Sequence, residues 1–385
     1  MERATAKKET LALVLSGGGA RNAYHAGFLA EVARMHPRLS FDILTGASAG
    51  TINLAHMAAS PKPFPETMEH LVGIWSRIEV EDVFDVNIGS LAGHFGRWGM
   101  RLVSGRRGKF KGPEGMVDAK PLWSLLNREL KTDRGPVEGI RENIERGALQ
   151  AIAVAATSYT TGRSVSFVQG QDIENWERAN RHSMEVDIGV EHIMASTALP
   201  FFFPAVRVGD AWYGDGGIRM NAPLAPAVHL GADRILAVST RFPRSAEDAE
   251  RNRSSGYPPP AQILSTLFNA IFLDMFDYDA IQLERINRLV RDMPKALRGS
   301  LRPVKLLVIR PSQDLGRLTN EYEPRLPRAF RFFTRGLGTA ETRNNDALSL
   351  IFFQHDYLSR IMEIGRADAR ANSEALAEFF DGSSS

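Results

Sequence analysis

Five apolar residues, Leu11 to Leu15, run without interruption into Gly17-Gly18-Gly19. The run is too short for a helix and lacks the alternation of a half-buried strand. It reads as a strand covered on both faces, as in a parallel sheet sandwiched by helices. From Arg21 to Met35 the apolar residues recur at helical spacing, and Pro37 ends the pattern. Phe41 to Thr45 reads as a second buried strand, and Ala49 to Ala59 as a helix of small residues stopped before Pro61. Strand, loop, helix, strand, turn, helix in sixty residues defines the α/β class.

The same pattern resumes further on. Ala151 to Thr157 and Val165 to Val168 read as strands joined by the turn Thr160-Thr161-Gly162-Arg163, and Asp187 to Thr197 as a helix. Trp212-Tyr213 leads into Asp215-Gly216-Gly217, a turn after a strand, and Ile235 to Ser239 and Val304 to Ile309 are further strands. Residues 62–120 break the rhythm with aromatics and a basic run at 101–112, and read as a cap or insertion over the sheet. A polar loop occupies 244–260. Residues 262–276 carry apolar pairs every four residues, the stripe of a core-packing helix rather than of one lying on a membrane. The region 346–380 reads as helical. We expect a catalytic domain over 10–315 and a mainly helical C-terminal extension over 316–385.

Composition removes several classes of chemistry. With no cysteine among 385 residues, disulfides, thiolate metal sites and cysteine nucleophiles are excluded. Lys plus Arg is 47 and Asp plus Glu is 45, a balance that argues against a nucleic-acid partner. No segment approaches the ~18 apolar residues of a membrane span, and the N-terminal apolar run is too short for a signal-peptide core. The reading is a cytoplasmic protein that meets a membrane only at its surface.

Two motifs carry chemistry. Gly46-Ala47-Ser48-Ala49-Gly50 fits G-x-S-x-G and sits between an expected strand and an expected helix. A serine on such a sharp turn is held in a strained backbone, flanking glycines avoid clashes, and the helix N-terminus faces the reacting oxygen. Gly17-Gly18-Gly19 lets successive N–H groups converge on an anion, as an oxyanion hole would. A plain tight turn is the simpler reading. A dinucleotide loop is disfavoured, because the third glycine of G-x-G-x-x-G would fall on Asn22, and Asp42 lies at the start of the next strand. Asp215 alone is an ordinary turn former. All three elements, however, fall at strand ends, where open α/β sheets place their sites.

The blocks SGGGARNAYHAGFL (16–29), TGASAG (45–50), TSYTTGRSVSF (157–167), ASTALPFFFPAV (195–206) and DGGIRMNAPL (215–224) resemble, in order, the signature blocks of patatin-like phospholipases. The likeness spans roughly residues 10–240 and is loose beyond. It implies a modified α/β-hydrolase fold: a mostly parallel sheet flanked by helices, with a cap insertion and a helical C-terminal part. It also implies a Ser–Asp dyad without histidine, Ser48 as nucleophile and Asp215 as base. Gly17, Gly18 and Gly19 would form the oxyanion hole, with Arg21 beside it. The substrates would be acyl esters of glycerolipids, with no cofactor and no metal. Asn22 stands where the family usually has glycine, and Ala205 where a second proline is common. Asn tolerates a left-handed backbone next best to glycine.

Two other readings stay open. One is an ordinary α/β-hydrolase with a Ser–Asp–His triad, for which His229 and His355 follow Asp215, each in an expected helix; His25 reads as structural. The other is a catalytically silent lipid-binding protein. For membrane contact the insertion is the first candidate, through Trp98, Phe110, Arg101, Arg106, Arg107, Lys109 and Lys111, and the helix at 262–276 is the second.

Overall fold

The computed structural model describes residues 9–85, 115–133, 135–244, 257–272, 274–326 and 345–381, with Glu247 and Arg331. The basic run at 101–112 and the aromatics Trp98 and Phe110 lie outside the described residues. Ten strands form one sheet: β1 (Leu11–Leu15), β2 (Ile43–Ala47), β3 (Ala151–Ser158), β4 (Ser164–Gly170), β5 (Glu177–Arg178), β6 (Arg181–Glu185), β7 (Val206–Val208), β8 (Ala211–Asp215), β9 (Arg234–Val238) and β10 (Lys305–Ile309). The order is β10-β9-β1-β2-β3-β4-β6-β5, and the five strands from β10 to β3 are mutually parallel. β4 turns back antiparallel on β3, and β8 pairs antiparallel with both β3 and β7.

The uninterrupted apolar strands are buried on both faces, as their sequence demands. In β1, Leu11, Leu13 and Leu15 face one core, and Ala12 and Val14 the other. The first core takes in the helices Ala23–Met35, Gly50–Ala59, Phe64–Trp75 and His355–Ala371. The second lies under the helices Ala225–His229 and Asp274–Asp292. None of the described helices is long and apolar enough to cross a membrane.

Three expectations shift. β2 starts at Ile43 rather than Phe41, because the Asp42 carboxylate accepts from the Leu11 N–H at 2.8 Å. The first helix opens with a 3-10 turn at Gly19–Asn22. The expected helix at 262–276 is in fact two, Pro260–Phe272 and Asp274–Asp292, and the first is not a plain core helix. Ile263 and Leu267 are exposed, whereas Ser265 is buried and its Oγ accepts from the Ala347 N–H. Asn269, one turn on, donates to Asp346 at 2.7 Å. Polar groups gripping the C-terminal region set the inward face, so the apolar pairs do not all turn inside.

The C-terminal region is helical at Asp346–Leu350, His355–Ala371 and Ser373–Asp381, and its side chains join the main core. Helix His355–Ala371 crosses helix Ala23–Met35 at two glycines. A Cβ on Gly27 would stand 2.6 Å from Met362 Cα, and one on Gly365 would stand 2.7 Å from the Phe28 nitrogen. Tyr24 beside the crossing donates to Asp368 at 2.9 Å. A buried ionic cluster makes the second joint. Arg21 donates through Nη2 to Asp346 Oδ1 at 2.7 Å and through Nε to Ser349 at 2.6 Å. Asp346 Oδ2 accepts from Arg244 at 2.8 Å, and Arg244 Nε donates to Asp314 at 3.0 Å. Burial opposes the charge on Asp346, but Arg21 and Arg244 outweigh it and hold the carboxyl below its ordinary range.

Both joints are testable by urea titration. Gly27→Ala should cost at least about 1–3 kcal/mol, since helix backbone rather than a movable side chain occupies the space. Asp346→Ala should cost about 3 kcal/mol by leaving the buried Arg21 guanidinium without its carboxylate. Asp346→Asn, which keeps the hydrogen-bond acceptor, should cost less.

Candidate active site

Strand register brings Ser48 and Asp215 together. β2 pairs with β3 up to Ala47 opposite Ala155, and there β2 ends. β8 takes over the same edge of β3 one residue later, with Asp215 opposite Ala156. The two strands therefore meet head-on, and the residues at their tips touch: Ser48 Oγ donates to Asp215 Oδ2 at 2.6 Å. The other carboxylate oxygen accepts from the Gly217 N–H at 2.8 Å, and Thr157 Oγ1 donates to the Asp215 carbonyl at 2.9 Å. Asp215 is 0% exposed. Burial pushes its carboxyl up to about 7, against the opposing pull of the Ser48 hydroxyl and the Gly217 N–H.

Ser48 sits at φ 52°, a left-handed conformation costing on the order of 1–3 kcal/mol for a non-glycine residue. Local bonds hold it there. Its N–H donates to Ser196 Oγ at 2.9 Å, and Ser196 in turn donates to the Ala155 carbonyl at 2.6 Å. Its carbonyl accepts from Thr51 Oγ1 at 2.6 Å, and helix Gly50–Ala59 starts two residues later. The pentapeptide glycines are steric necessities: a Cβ on Gly46 would stand 2.7 Å from the Leu15 carbonyl oxygen, and one on Gly50 2.7 Å from that of Ser16.

The glycine loop lies alongside. A Cβ on Gly17 would be 2.9 Å from Ser48 Cβ, and Gly18 and Gly19 line the same cavity as Ser48. The Gly17 carbonyl accepts from Thr240 Oγ1 at 2.7 Å and from Ser16 Oγ at 3.1 Å. Because the peptide is planar and trans, pinning that carbonyl turns the Gly18 N–H the opposite way.

Other site residues fall differently from expectation. The Arg21 side chain does not line the cavity; its guanidinium is taken up by Asp346 and Ser349. It braces the loop from behind. Asn22 is right-handed, at φ −68° and ψ −10°, because it already belongs to the first helical turn. The left-handed position is Gly19, at φ 54°, backed by the Leu350 carbonyl. Asn22 instead donates to the Gly19 carbonyl at 3.2 Å. Among the described residues no histidine hydrogen-bonds Ser48 or Asp215. His25 is fully buried, and burial holds its imidazole down at about 3. His229 stacks on Trp176 at 4.9 Å. His355 is the first residue of its helix, and its ring bonds the Ser76 carbonyl at 2.7 Å.

The cavity that opens on Ser48 is apolar over most of its wall. Ile52, Leu71, Ile74 and Trp75 line it, with Leu122, Leu125 and Leu126 from helix Lys120–Glu129 and Leu350, Ile351 and Phe353 from the C-terminal region. The described parts of the expected cap segment thus wall the cavity. Sequence reasoning missed Ser196, His56 and Asp346. Ser196 lies inside the quoted block at 195–206, but nothing local marks it as the partner of the Ser48 N–H.

The sequence model of the family described as patatin-like phospholipase matches residues 13–228. No curated protein matches the sequence. Among solved structures, VipD from Legionella pneumophila is similar at 13% identity, over 93% of this chain and 67% of its own, with a TM-score of 0.34. Human GIVD cytosolic phospholipase A2, in complex with methyl gamma-linolenyl fluorophosphonate, is similar at 13% identity with a TM-score of 0.43. The likeness covers 99% of this chain but only 60% of the human one. The family match spans more than half of the chain, and the mostly parallel sheet carries the matched blocks at its strand ends. The chain belongs to the patatin-like phospholipase family and has its α/β fold.

Proposed function

We propose that the protein is a serine lipid-acyl hydrolase working through a Ser48–Asp215 dyad. The observation that carries the reading is the 2.6 Å contact between a strained serine hydroxyl and a buried carboxylate at the end of an apolar cavity. Ser48 Oγ attacks the ester carbonyl carbon while its proton passes to Asp215 Oδ2. The carbonyl oxygen becomes an oxyanion, met by the N–H groups of Gly18 and Gly19. Collapse expels the alcohol oxygen, which takes the proton from Asp215 and leaves an acyl-enzyme on Ser48. Water then attacks the acyl carbon while Asp215 accepts its proton, and collapse of that second tetrahedral intermediate breaks the bond to Ser48 Oγ, which takes the proton back from Asp215 as the carboxylic acid leaves. An acyl chain in the cavity and a glycerolipid alcohol outside it fit this division of roles.

Ser48→Ala and Asp215→Asn should each lower hydrolysis of a short-chain p-nitrophenyl ester by at least about 10³-fold, since the pair acts as a unit. Replacing His25, His229 or His355 singly should leave any variant that folds within a few-fold of the parent. A histidine variant as inactive as Ser48→Ala would replace the dyad with a triad.

The pH dependence follows from the raised carboxyl. Activity needs ionised Asp215, so turnover should rise through about pH 7. Stability runs the other way. The folded protein holds the Asp215 proton up to about 7, against 3.8 for an unperturbed carboxyl. The protonated form's contribution is full below about 4 and is lost as pH rises to about 7. Asp215→Asn, which removes that ionisation, should therefore melt above the parent at pH 8 and lose the advantage at pH 4, as calorimetry at the two pH values will show.

A further inference from the structure

The acyl cavity changes character at one depth. Ala49, which caps helix Gly50–Ala59, and Ile52 and His56 on it stand at helical spacing and line the cavity in turn, so its wall follows that helix away from Ser48. His56 is only 8% exposed; its Nε2 lies 3.3 Å from His70 Nδ1, and the two rings stack at 5.0 Å. Glu129, at the last turn of helix Lys120–Glu129, lines the same cavity with an 18% exposed side chain. Among the described lining residues, the other polar side-chain groups are Ser48, Thr197 next to Ser196, and the Trp75 Nε1, which is spent on Asn53. The first two belong to the reacting end, which leaves His56 and Glu129, close enough for the Glu129 charge to act on the imidazole, as the polar groups on the rest of the wall.

Eight positions separate Ser48 from His56, and right-handed helical backbone covers the seven steps from Ala49, a distance on the order of 10–12 Å at ~1.5 Å per residue. A carbon chain with ~1.5 Å bonds at tetrahedral angles advances ~1.25 Å per carbon, so roughly eight to ten carbons span that distance. Burial, reinforced by the neighbouring His70, holds the His56 imidazole down at about 4, so it is neutral at pH 7. His56 meets His70 and the Glu129 carboxylate accepts from Arg128 Nε at 3.1 Å, so a methylene chain drawn past them strips water from both polar groups and supplies no hydrogen bond in return.

We propose that His56 and Glu129 form a polar stop in the acyl cavity, which makes the preferred substrates esters of medium-chain acids, about ten carbons or shorter. This rests on the hydrolase reading above. Chains that end before His56 bury only against apolar wall. Longer ones desolvate both polar groups and lose about tenfold in kcat/KM. An oxygen function at the tenth carbon restores a partner at that depth.

The test is a kcat/KM profile on p-nitrophenyl esters from four to sixteen carbons in mixed detergent micelles, for the parent, His56→Leu, Glu129→Leu and the double variant. A 10-hydroxydecanoyl ester is the added arm. The parent should peak near eight to ten carbons and fall about tenfold by sixteen. The substitutions should raise the sixteen-to-ten ratio about tenfold, and the hydroxylated ester should lose its standing against decanoyl in the same variants. A parent optimum at fourteen carbons or more overturns the proposal, as does a length profile that folded variants leave unchanged. A parent that hydrolyses no ester at any length, and resists labelling by a fluorophosphonate, sinks the hydrolase reading itself.

Discussion

The active-site geometry rests on how closely three backbone turns approach one another at the carboxyl edge of the sheet. The turn after β1, the turn after β2 and the turn after β8 are packed so tightly that side chains are excluded where they touch. A Cβ on Gly17 would meet Ser48, one on Gly50 would meet the Ser16 carbonyl, and one on Gly216 would meet the Ala155 carbonyl. Parallel pairing of β1 with β2 and of β2 with β3 fixes the spacing of the turns, and the hand-over from β2 to β8 on one edge of β3 fixes their alignment. The Ser48–Asp215 contact is the consequence of register, not of either residue alone.

Such a site works against the stability of its own scaffold. A left-handed serine and a carboxylate with 0% exposure both raise the energy of the folded state. The surroundings offset this with bonds directed at the backbone: Ser196 on the Ser48 N–H, Thr157 on the Asp215 carbonyl, Thr240 on the Gly17 carbonyl. These hydroxyl residues do no chemistry in the proposed reaction, yet each removes a freedom the site cannot tolerate. This is the usual relation between a strained functional site and an over-determined support.

Much of this was legible in the sequence where the signal is local. The apolar runs at 11–15 and 151–157 announce buried strands, and both glycine motifs lie where strand gives way to helix. Asp215 needed the ordered blocks around it, since an aspartate before two glycines is otherwise a turn. What escaped depends on pairing across long separations. Arg21 meets Asp346, 325 positions away, and no local pattern encodes that partner. Asn22 stands where the family usually has glycine and is a residue type that tolerates a left-handed backbone, but the left-handed residue lies three positions earlier at Gly19, against the Leu350 carbonyl. Helix Pro260–Phe272 carries an apolar stripe, but its burial follows the polar grip of Ser265 and Asn269 on the C-terminal region. Periodicity reports which face is apolar, not which face finds a partner.

The Arg21–Asp346 pair also orders events in time. Chains emerge from the ribosome in sequence, and domains assemble as their segments appear. The strands β1, β2, β3, β8 and β9, with the residues of the dyad, are all synthesised well before residue 346. Until then Arg21 lacks its carboxylate, the wall formed by Leu350 and Phe353 is missing, and the crossing at Gly27 has no partner helix. A nascent chain therefore holds Ser48 and Asp215 yet lacks a braced glycine loop and a finished cavity. The late arrival of the C-terminal helices makes the finished cavity one of the last features the protein acquires.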